Sequence, residues 1–365
     1  MIFSQNQRRV YWLALAVLAV AVALGCAWSL WPKPAASRVQ AAPEAALPEA
    51  QVPEAPAPVE TQAPVDVATA ASSGKKTSTI VYYQDNYGYL VPVQCSVPME
   101  DGIARATLSM MVQSPSNDMQ AARLGLRTVL PENTSIDLDI SKGLARVDLG
   151  PEVLNMADAA AETGMVQAVV QALTEFDTVD RVEFLIGGQK REKLTHGTKV
   201  SGTFTRGDIN LESAEPTMAD ARPVMLYFPG DSGSVIVPVT RMVAQPDINT
   251  AVLELAKGPS GDGMLEDVVP AGCGLIDVKV EDGTAKLNFT GEFVNLVQNS
   301  DGGRMALKAL ALTCMQFDGV KAVEIYVDGR KYDAGDLGVP SFMNVADNIV
   351  SDYVQTQASA IFEMD

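Results

Sequence analysis

One stretch of the sequence contains residue types that could supply a catalytic nucleophile. Gly230-Asp231-Ser232-Gly233 matches the residues around the reactive serine of chymotrypsin-like proteases. That chemistry also needs a histidine and an aspartate earlier in the chain, on a large double barrel. The chain has a single histidine, His196, and the stretch between it and Ser232 is typical of a linker between domains. We therefore interpret the motif as a turn between two strands.

Several carboxylates could in principle bind calcium or act as acid–base groups. They alternate along predicted strands, which is also the pattern of the solvated face of an antiparallel sheet. The spacing of an EF-hand loop is absent, and a single histidine excludes a zinc site with several histidine ligands. We predict no catalytic, cofactor-binding or metal-binding residues. The carboxylates considered are Asp137, Asp139, Asp148, Asp277 and Asp282.

The cysteines do not form a redox or disulfide framework. Cys26 lies in the apolar N-terminal run, which leaves Cys95, Cys273 and Cys314, and no Cys-x-x-Cys pair occurs. Because three is an odd number, a complete set of internal disulfides is excluded. We expect these three side chains to be small buried apolar groups.

The acidic charge balance restricts the partners of the chain. Asp and Glu number 45 against 27 Lys and Arg, which gives a net charge of −18. Nucleic acids and anionic membrane surfaces need clustered basic side chains. We therefore expect neither of these partners. No small-molecule substrate is expected either.

The N-terminus is typical of a membrane tether. Residues 1–9 precede an uncharged apolar run at 10–31, long enough to cross a bilayer as a helix. Arg8 and Arg9 predict a cytoplasmic N-terminus and an exported remainder. The pattern favours an uncleaved anchor, while "ALGC" at 23–26 leaves a lipoprotein with lipidated Cys26 as the alternative. Residues 32–76, rich in Pro, Ala and Glu, are predicted to be a disordered linker.

The remaining sequence repeats itself with a period of roughly 140 residues, far longer than solenoid repeats. Each copy is predicted to fold as β-β-α-β-β-α-β, so the chain is an α+β protein with two tandem domains at 77–207 and 223–342. Residues 208–222 are a linker, and 343–365 form a tail without a counterpart in the first repeat. The positions that define the repeat are the pairs Pro92/Pro238, Pro115/Pro259, Pro131/Pro270, Gly143/Gly283 and Gly188/Gly329.

Several local structures follow from the repeat. Lys142-Gly143 and Asp282-Gly283 predict hairpin turns with positive φ at the glycines. Pro115 and Pro259 are expected to stop the first helix of each domain. His196 is expected in an exposed loop, and Gly187-Gly188 and Asp328-Gly329 in turns. The apolar stripe of the second helix is expected to pack on the sheet; its members are Met165, Val169, Val170, Leu173, Met305, Leu307, Leu310 and Leu312.

The motifs of the repeat, in their order, resemble the GerMN domain family of sporulation and germination proteins. In the second repeat they are Gly258-Pro259, Val269-Pro270-Ala271-Gly272, the strand at 283–289, Glu292-Phe293 and the segment at 317–323. The resemblance covers 77–339 and is more diverged in the first repeat, where Ser114-Pro115 replaces Gly-Pro.

The resemblance implies a non-enzymatic role. Members of this kind are components or assembly factors of the complex that links mother cell and forespore, and their domains resemble ring-building folds. The expected partners are therefore other envelope or sporulation-complex proteins, with self-association into rings as a second kind of contact. The alternative is a general envelope module that binds peptidoglycan, a glycan or a lipoprotein in growing cells. The tail after Met343 either covers a domain face or binds a partner.

Overall fold

The fold was analysed in a computed structural model of the chain. It describes residues 76–98, 102–212, 220–260, 265–296, 302–335, 338 and 342–345. The predicted anchor, the predicted linker before Lys76 and most of the C-terminal tail lie outside the described residues.

Both repeats contain the predicted strands and helices in the predicted order. In the first repeat the elements are β1 (Lys76–Gln84), β2 (Leu90–Pro98), α1 (Ile103–Ser109), α2 (Pro115–Ala122), β3 (Ile136–Ser141), β4 (Gly143–Leu149), a 3-10 turn (Pro151–Asn155), α3 (Ala159–Leu173), β5 (Val179–Ile186) and β6 (Thr203–Phe204). In the second they are β7 (Arg222–Pro229), β8 (Ile236–Val243), α4 (Ile248–Ala256), β9 (Leu275–Glu281), β10 (Thr284–Phe289), a 3-10 turn (Gly291–Leu296), α5 (Gly302–Met315), β11 (Ala322–Val327) and β12 (Arg330–Lys331). The predicted α+β class with two tandem domains is confirmed.

Each domain consists of a four-stranded sheet and a separate two-stranded hairpin. The sheets have the orders β3-β4-β5-β6 and β9-β10-β11-β12, and the hairpins are β1-β2 and β7-β8. The central pairs β4-β5 and β10-β11 are parallel because the second helix of each domain returns the chain to the same end of the sheet. The helices contact both the sheet and the hairpin, so they form a middle layer.

Two tight turns set the register of the sheets. Lys142 and Gly143 have φ values of 52° and 75°, and Asp282 and Gly283 have values of 50° and 78°. Two consecutive positive φ values define the turn whose twist matches that of the flanking strands. The resulting register places Ser141 opposite Leu144. The positive φ expected at both glycines is therefore present.

The expectation for Pro115 is wrong in one respect. Helix α1 already ends at Ser109, and Pro115 is the first residue of a second helix, α2. The Ser114 side chain accepts a hydrogen bond from Asn117 N and caps this helix. Proline is well suited to the first helical position because its missing N–H would have no partner there. In the second repeat, α4 ends at Ala256, before Pro259.

The core of each domain lies between the sheet and the second helix. Most of the predicted stripe is buried, including Met165, Val169, Leu173 and Leu310. In the second domain, Phe289 of β10 stacks on Phe293 with ring centroids 4.6 Å apart. The Glu-Phe motif at 292–293 therefore supplies a core aromatic side chain.

Substitution of Gly283 by Ala should destabilise the second domain. A Cβ atom there would lie 3.2 Å from the Gly319 carbonyl oxygen, in a backbone conformation that L-residues rarely adopt. We expect a loss of about 1–2 kcal/mol in the free energy of unfolding, measured by urea denaturation. Gly207→Ala is the matched control, because its Cβ would meet open space at an ordinary φ. Equal losses in the two variants would contradict the role assigned to this turn.

Candidate interaction surfaces

Ser232 lies in the turn of the β7-β8 hairpin. Its Oγ accepts a hydrogen bond from Ser234 N at 3.3 Å, and Gly233 has φ 61°. The neighbouring Asp231 carboxylate accepts a hydrogen bond from Tyr87 Oη, in the turn of the other hairpin, at 3.0 Å. The Gly-Asp-Ser-Gly stretch thus makes a turn, and its aspartate connects the two domains.

His196 is exposed in a loop, as expected, and its contacts hold that loop in place. One ring nitrogen, Nε2, lies 2.9 Å from the Met156 carbonyl oxygen, which can accept a hydrogen bond from it. The backbone N–H groups of His196 and Thr198 donate to the buried Glu162 carboxylate at 2.7 and 3.2 Å. The His196 imidazole contacts Met156, whereas Ser232 Oγ contacts Ser234, so the two side chains bind different parts of the chain. The contacts of His196 therefore have a structural role.

The carboxylates considered as sites lie on the outer faces of the sheets or in their turns, and Asp137, Asp139 and Asp277 pair with basic side chains. Asp277 binds Lys279 at 2.9 Å, and Asp139 lies 3.7 Å from Arg146. Arg146 also binds Glu183, which Lys190 contacts at 2.6 Å. Hydrogen bonding from Lys190 lowers the pKa of Glu183, and hydrogen bonding from Lys279 lowers that of Asp277. Within the described ranges, no group of His, Cys, Asp and Glu side chains is arranged to hold a metal ion.

The described cysteines are thiols. Cys95 and Cys314 are buried, whereas Cys273 is partly buried. Burial raises the pKa of Cys314 to about 12, so its thiol is neutral at physiological pH. Cys26, the candidate lipidation site, lies outside the described residues.

Each sheet presents one long edge strand, β3 in the first domain and β9 in the second. The outer edges of these strands pair with no other strand of the described chain. Both strands expose an apolar side chain at the same position of the repeat. Ile140, opposite Ala145, is 37% exposed, and Val280, opposite Ala285, is 47% exposed. An edge strand with apolar side chains can pair with another chain.

The two hairpins meet along β2 and β8, and Asn210 bridges them. Its Nδ2 donates to the carbonyl oxygens of Leu90 at 2.8 Å and Pro238 at 2.7 Å. Its Oδ1 accepts from Leu90 N at 2.8 Å. Asn210 therefore provides hydrogen-bond partners for the backbone N–H and C=O groups of Leu90 and for one carbonyl group of the second domain. We call the contact region between β2 and β8 the seam.

Asn344 makes the same set of contacts with the domains exchanged. Its Nδ2 donates to the carbonyl oxygens of Ile236 at 3.1 Å and Pro92 at 2.9 Å, and its Oδ1 accepts from Ile236 N at 3.0 Å. Ile236 is the repeat equivalent of Leu90, and Pro238 is that of Pro92. The seam thus has a local two-fold symmetry within one chain. An interface of this kind is self-complementary and closed.

The backbone around each asparagine extends the opposite hairpin. Leu211 forms a parallel bridge with Thr240 of β8, and Val345 forms one with Gln94 of β2. Each domain therefore ends with a segment that contacts the other domain. This corrects the prediction that the tail lacks a counterpart in the first repeat, because Asn344 corresponds to Asn210.

A buried ion pair fixes the segment that follows Asn210. Arg241 Nη2 lies 2.6 Å from Glu212 Oε2, and both side chains are less than a tenth exposed. Arg241 also donates to Glu254 and to the Gly258 carbonyl oxygen. Glu212 in turn accepts from Ser260 N at 3.0 Å. These contacts satisfy the charges of the pair, which burial would otherwise destabilise.

These domains place the chain in a known class. It belongs to the Germane family, described as sporulation and spore germination, whose model matches residues 80–192 and 225–333. The two matches fall on the two structural repeats, and the resemblance to GerMN domains is confirmed.

Individual relatives have the same tandem organisation. The spore germination protein GerM of Bacillus subtilis is 30% identical over 278 residues, which are 73% of this chain and 75% of GerM. The solved tandem GerMN domains of the sporulation protein GerM from Bacillus subtilis match with a TM-score of 0.59 and 27% identity. That match covers 74% of this chain and 99% of the solved one. The first GerMN domain of the same protein matches with a TM-score of 0.33 and 30% identity, covering 36% of this chain and 98% of that domain.

Among the described helices, none combines the length and apolarity needed to span a bilayer.

Replacement of Arg241 by Met should strongly destabilise the chain. Glu212 would keep its charge in a buried position without a cation, at a cost of about 3–5 kcal/mol in the free energy of unfolding. Urea denaturation measures this loss, and Arg241→Met/Glu212→Leu should regain part of it. Lys279→Met removes an exposed partner of Asp277 and should cost less than about 1 kcal/mol. An equally small effect at Arg241 would contradict the role of the buried pair.

Stability should fall as the pH drops from about 5 towards 3. Lysine partners lower the folded-state pKa values of Glu183, Asp277 and Glu324. A carboxyl whose pKa is lowered by folding stabilises the fold above its unfolded pKa, and this contribution is lost as the pH falls through the folded value. We expect a smaller pH dependence in Glu183→Gln, measured by urea unfolding at several pH values. Glu132→Gln is the exposed control, and an unchanged pH dependence in Glu183→Gln would contradict the assignment.

Proposed function

We propose that the chain is a membrane-tethered, extracytoplasmic scaffold that acts through protein–protein contacts in sporulation or spore germination. The observation that carries this proposal is the tandem arrangement shared with GerM over three quarters of both chains. The predicted anchor at 10–31 and the Pro-rich linker after it would hold the two domains away from the membrane. In this proposal the chain acts in the space between mother cell and forespore.

The contact surfaces proposed for this role are the outer edges of β3 and β9. These strands expose Ile140 and Val280 at equivalent positions, and their backbone groups can pair with a strand of another protein. The edges of β2 and β8 are already occupied by the seam. A further copy of the chain, or another protein of the envelope complex, would therefore bind at the two sheets. Binding at both edges would join copies side by side, as a ring requires.

A general envelope module that binds peptidoglycan or a glycan in growing cells is the second candidate. The outer faces of the sheets favour it, because they carry exposed charged side chains, such as Arg146 and Lys279, that can bind polar ligands. The same surfaces are exposed in both proposals. The two functions are therefore distinguished by the phenotype of a deletion strain and by the ligand that the chain binds.

The test is complementation of a deletion strain, with heat-resistant spore yield as the readout. We expect deletion to lower the yield by orders of magnitude and the full chain to restore it. A chain without residues 1–31 should fail to restore it, because the tether is lost. Ile140→Lys/Val280→Lys should also fail, because lysine blocks edge pairing. Leu253→Lys, at an exposed apolar position on α4, is the matched control and should restore the yield.

Two results would contradict the proposal. Full complementation by Ile140→Lys/Val280→Lys would show that the sheet edges do not bind the partner. A deletion without effect on spore yield would overturn the sporulation role. In that case, saturable binding of the full chain to purified peptidoglycan would support the envelope module.

A further inference from the structure

The two halves of the seam have the same asparagine contacts but different anchoring. The Asn210 half lies within the chain, between the two domains, and the Asn344 half lies near the C-terminus. Because the asparagine contacts match, a difference in strength must come from the neighbouring residues. The contacts around each asparagine therefore indicate which half of the seam opens more easily.

The Asn210 half has a hydroxyl hydrogen bond and a buried ion pair in addition to its backbone bridge. Thr240 N donates to the Ile209 carbonyl oxygen at 3.1 Å, and Thr240 Oγ1 donates to the same oxygen at 2.8 Å. Glu212 N donates to the Thr240 carbonyl oxygen at 2.9 Å, as part of the Leu211–Thr240 bridge, and this bridge has its counterpart in the Gln94–Val345 bridge of the other half. The buried pair between Glu212 and Arg241 adds a charged contact next to this ladder.

In the Asn344 half, the described residues show the backbone bridge without this hydroxyl bond and this ion pair. Gln94 N donates to the Asn344 carbonyl oxygen at 2.7 Å, at the position that Thr240 N occupies in the other half. The repeat equivalent of Arg241 is Cys95, and Ala346 follows Val345 as Glu212 follows Leu211. These two residue types cannot form an ion pair. Lys308 Nζ donates to the carbonyl oxygen of Met343 at 2.9 Å, but this bond joins the segment to its own domain.

We propose that Asn210 and Asn344 fix the position of the two domains relative to each other, and that the Asn344 half of the seam opens first. The inference does not depend on the proposed function. The segment at 342–345 is thus a latch: when it is in place, it satisfies the edges of both hairpins. When it leaves, the backbone groups of Ile236, Pro92 and Gln94 that face the seam lose their partners.

Opening of the latch has a local consequence that can be measured. An amide proton exchanges with solvent when its hydrogen bond opens, so each half reports through its own amides. Gln94 and Ile236 report on the Asn344 half, and Leu90 and Thr240 report on the Asn210 half. The proposal requires the first pair to exchange faster than Thr240.

The experiment is residue-resolved hydrogen–deuterium exchange on the full chain purified in detergent. In the unaltered chain, Gln94 N–H should exchange faster than Thr240 N–H. Asn344→Ala should raise the exchange at Gln94 and Ile236 by about ten-fold, as expected for the loss of one to two hydrogen bonds. Thr240 should remain protected. The matched control, Asn249→Ala, replaces an exposed asparagine on α4 and should change none of these rates.

An engineered disulfide distinguishes the protection that comes from backbone pairing from the protection that comes from the Asn344 side chain. Gln94 and Val345 are bridge partners, and strands in this relation are close enough for Cys pairs. In Asn344→Ala/Gln94→Cys/Val345→Cys, oxidation should restore protection at position 94 but not at Ile236, whose acceptor was the asparagine side chain.

Two outcomes would overturn the inference. Unchanged exchange at both Gln94 and Ile236 in Asn344→Ala would show that the asparagine does not hold the seam. Equal exchange of Gln94 and Thr240 in the unaltered chain would show that the two halves open together. A uniform rise in the exchange rates of all amides would indicate global unfolding of the variant. In that case the variant with the oxidised disulfide decides: the inference stands if protection at position 94 is restored and fails if it is not.

Discussion

The seam is held together because buried backbone N–H and C=O groups need hydrogen-bond partners. A two-stranded hairpin leaves a row of N–H and C=O groups along its outer edge, and burial of such an edge is unfavourable without partners. Here two hairpin edges face each other, and the third residue of each of these strands is a proline, which lacks an N–H. The edges cannot form a regular ladder across Pro92 and Pro238. Two asparagine side chains, each with donors and an acceptor, satisfy the groups that a strand would otherwise satisfy.

This constraint determines which surfaces remain open for other molecules. The hairpin edges are closed inside the chain, while no strand of the described residues pairs with the outer edges of β3 and β9. A closed internal interface prevents further growth through the same surface, whereas two equivalent outer edges permit it. In the tandem arrangement, the contacts between the two domains therefore use the hairpins, and the proposed contacts with a partner use the sheets.

Much of the fold could be predicted from the sequence because its signals are local. Lys142-Gly143 and Asp282-Gly283 determine hairpin turns through their own backbone preferences, and the alternating residues around them define the strands. Ser232 could be placed in a turn because its repeat counterpart is also in a turn. The separation of the hairpins from the sheets could not be predicted, because strand pairing depends on contacts between distant residues. Asn210 and Asn344 were missed for a related reason: a single asparagine between strands is typical of any turn. The one available signal was the recurrence of apolar-Asn-apolar at 209–211 and 343–345.

The contact of the C-terminal segment with the first hairpin brings the two ends of the described part of the chain towards each other. Lys76 starts opposite Pro98 on the first hairpin, and Val345 lies beside Gln94 on the same hairpin, running parallel to β2. Four residues of extended chain, about 13 Å, would carry Val345 to the level of Lys76. The path of the backbone through both domains is therefore almost a closed loop. A short peptide joining the two ends would make the fold a candidate for circular permutation, with new termini at the β7-β8 turn.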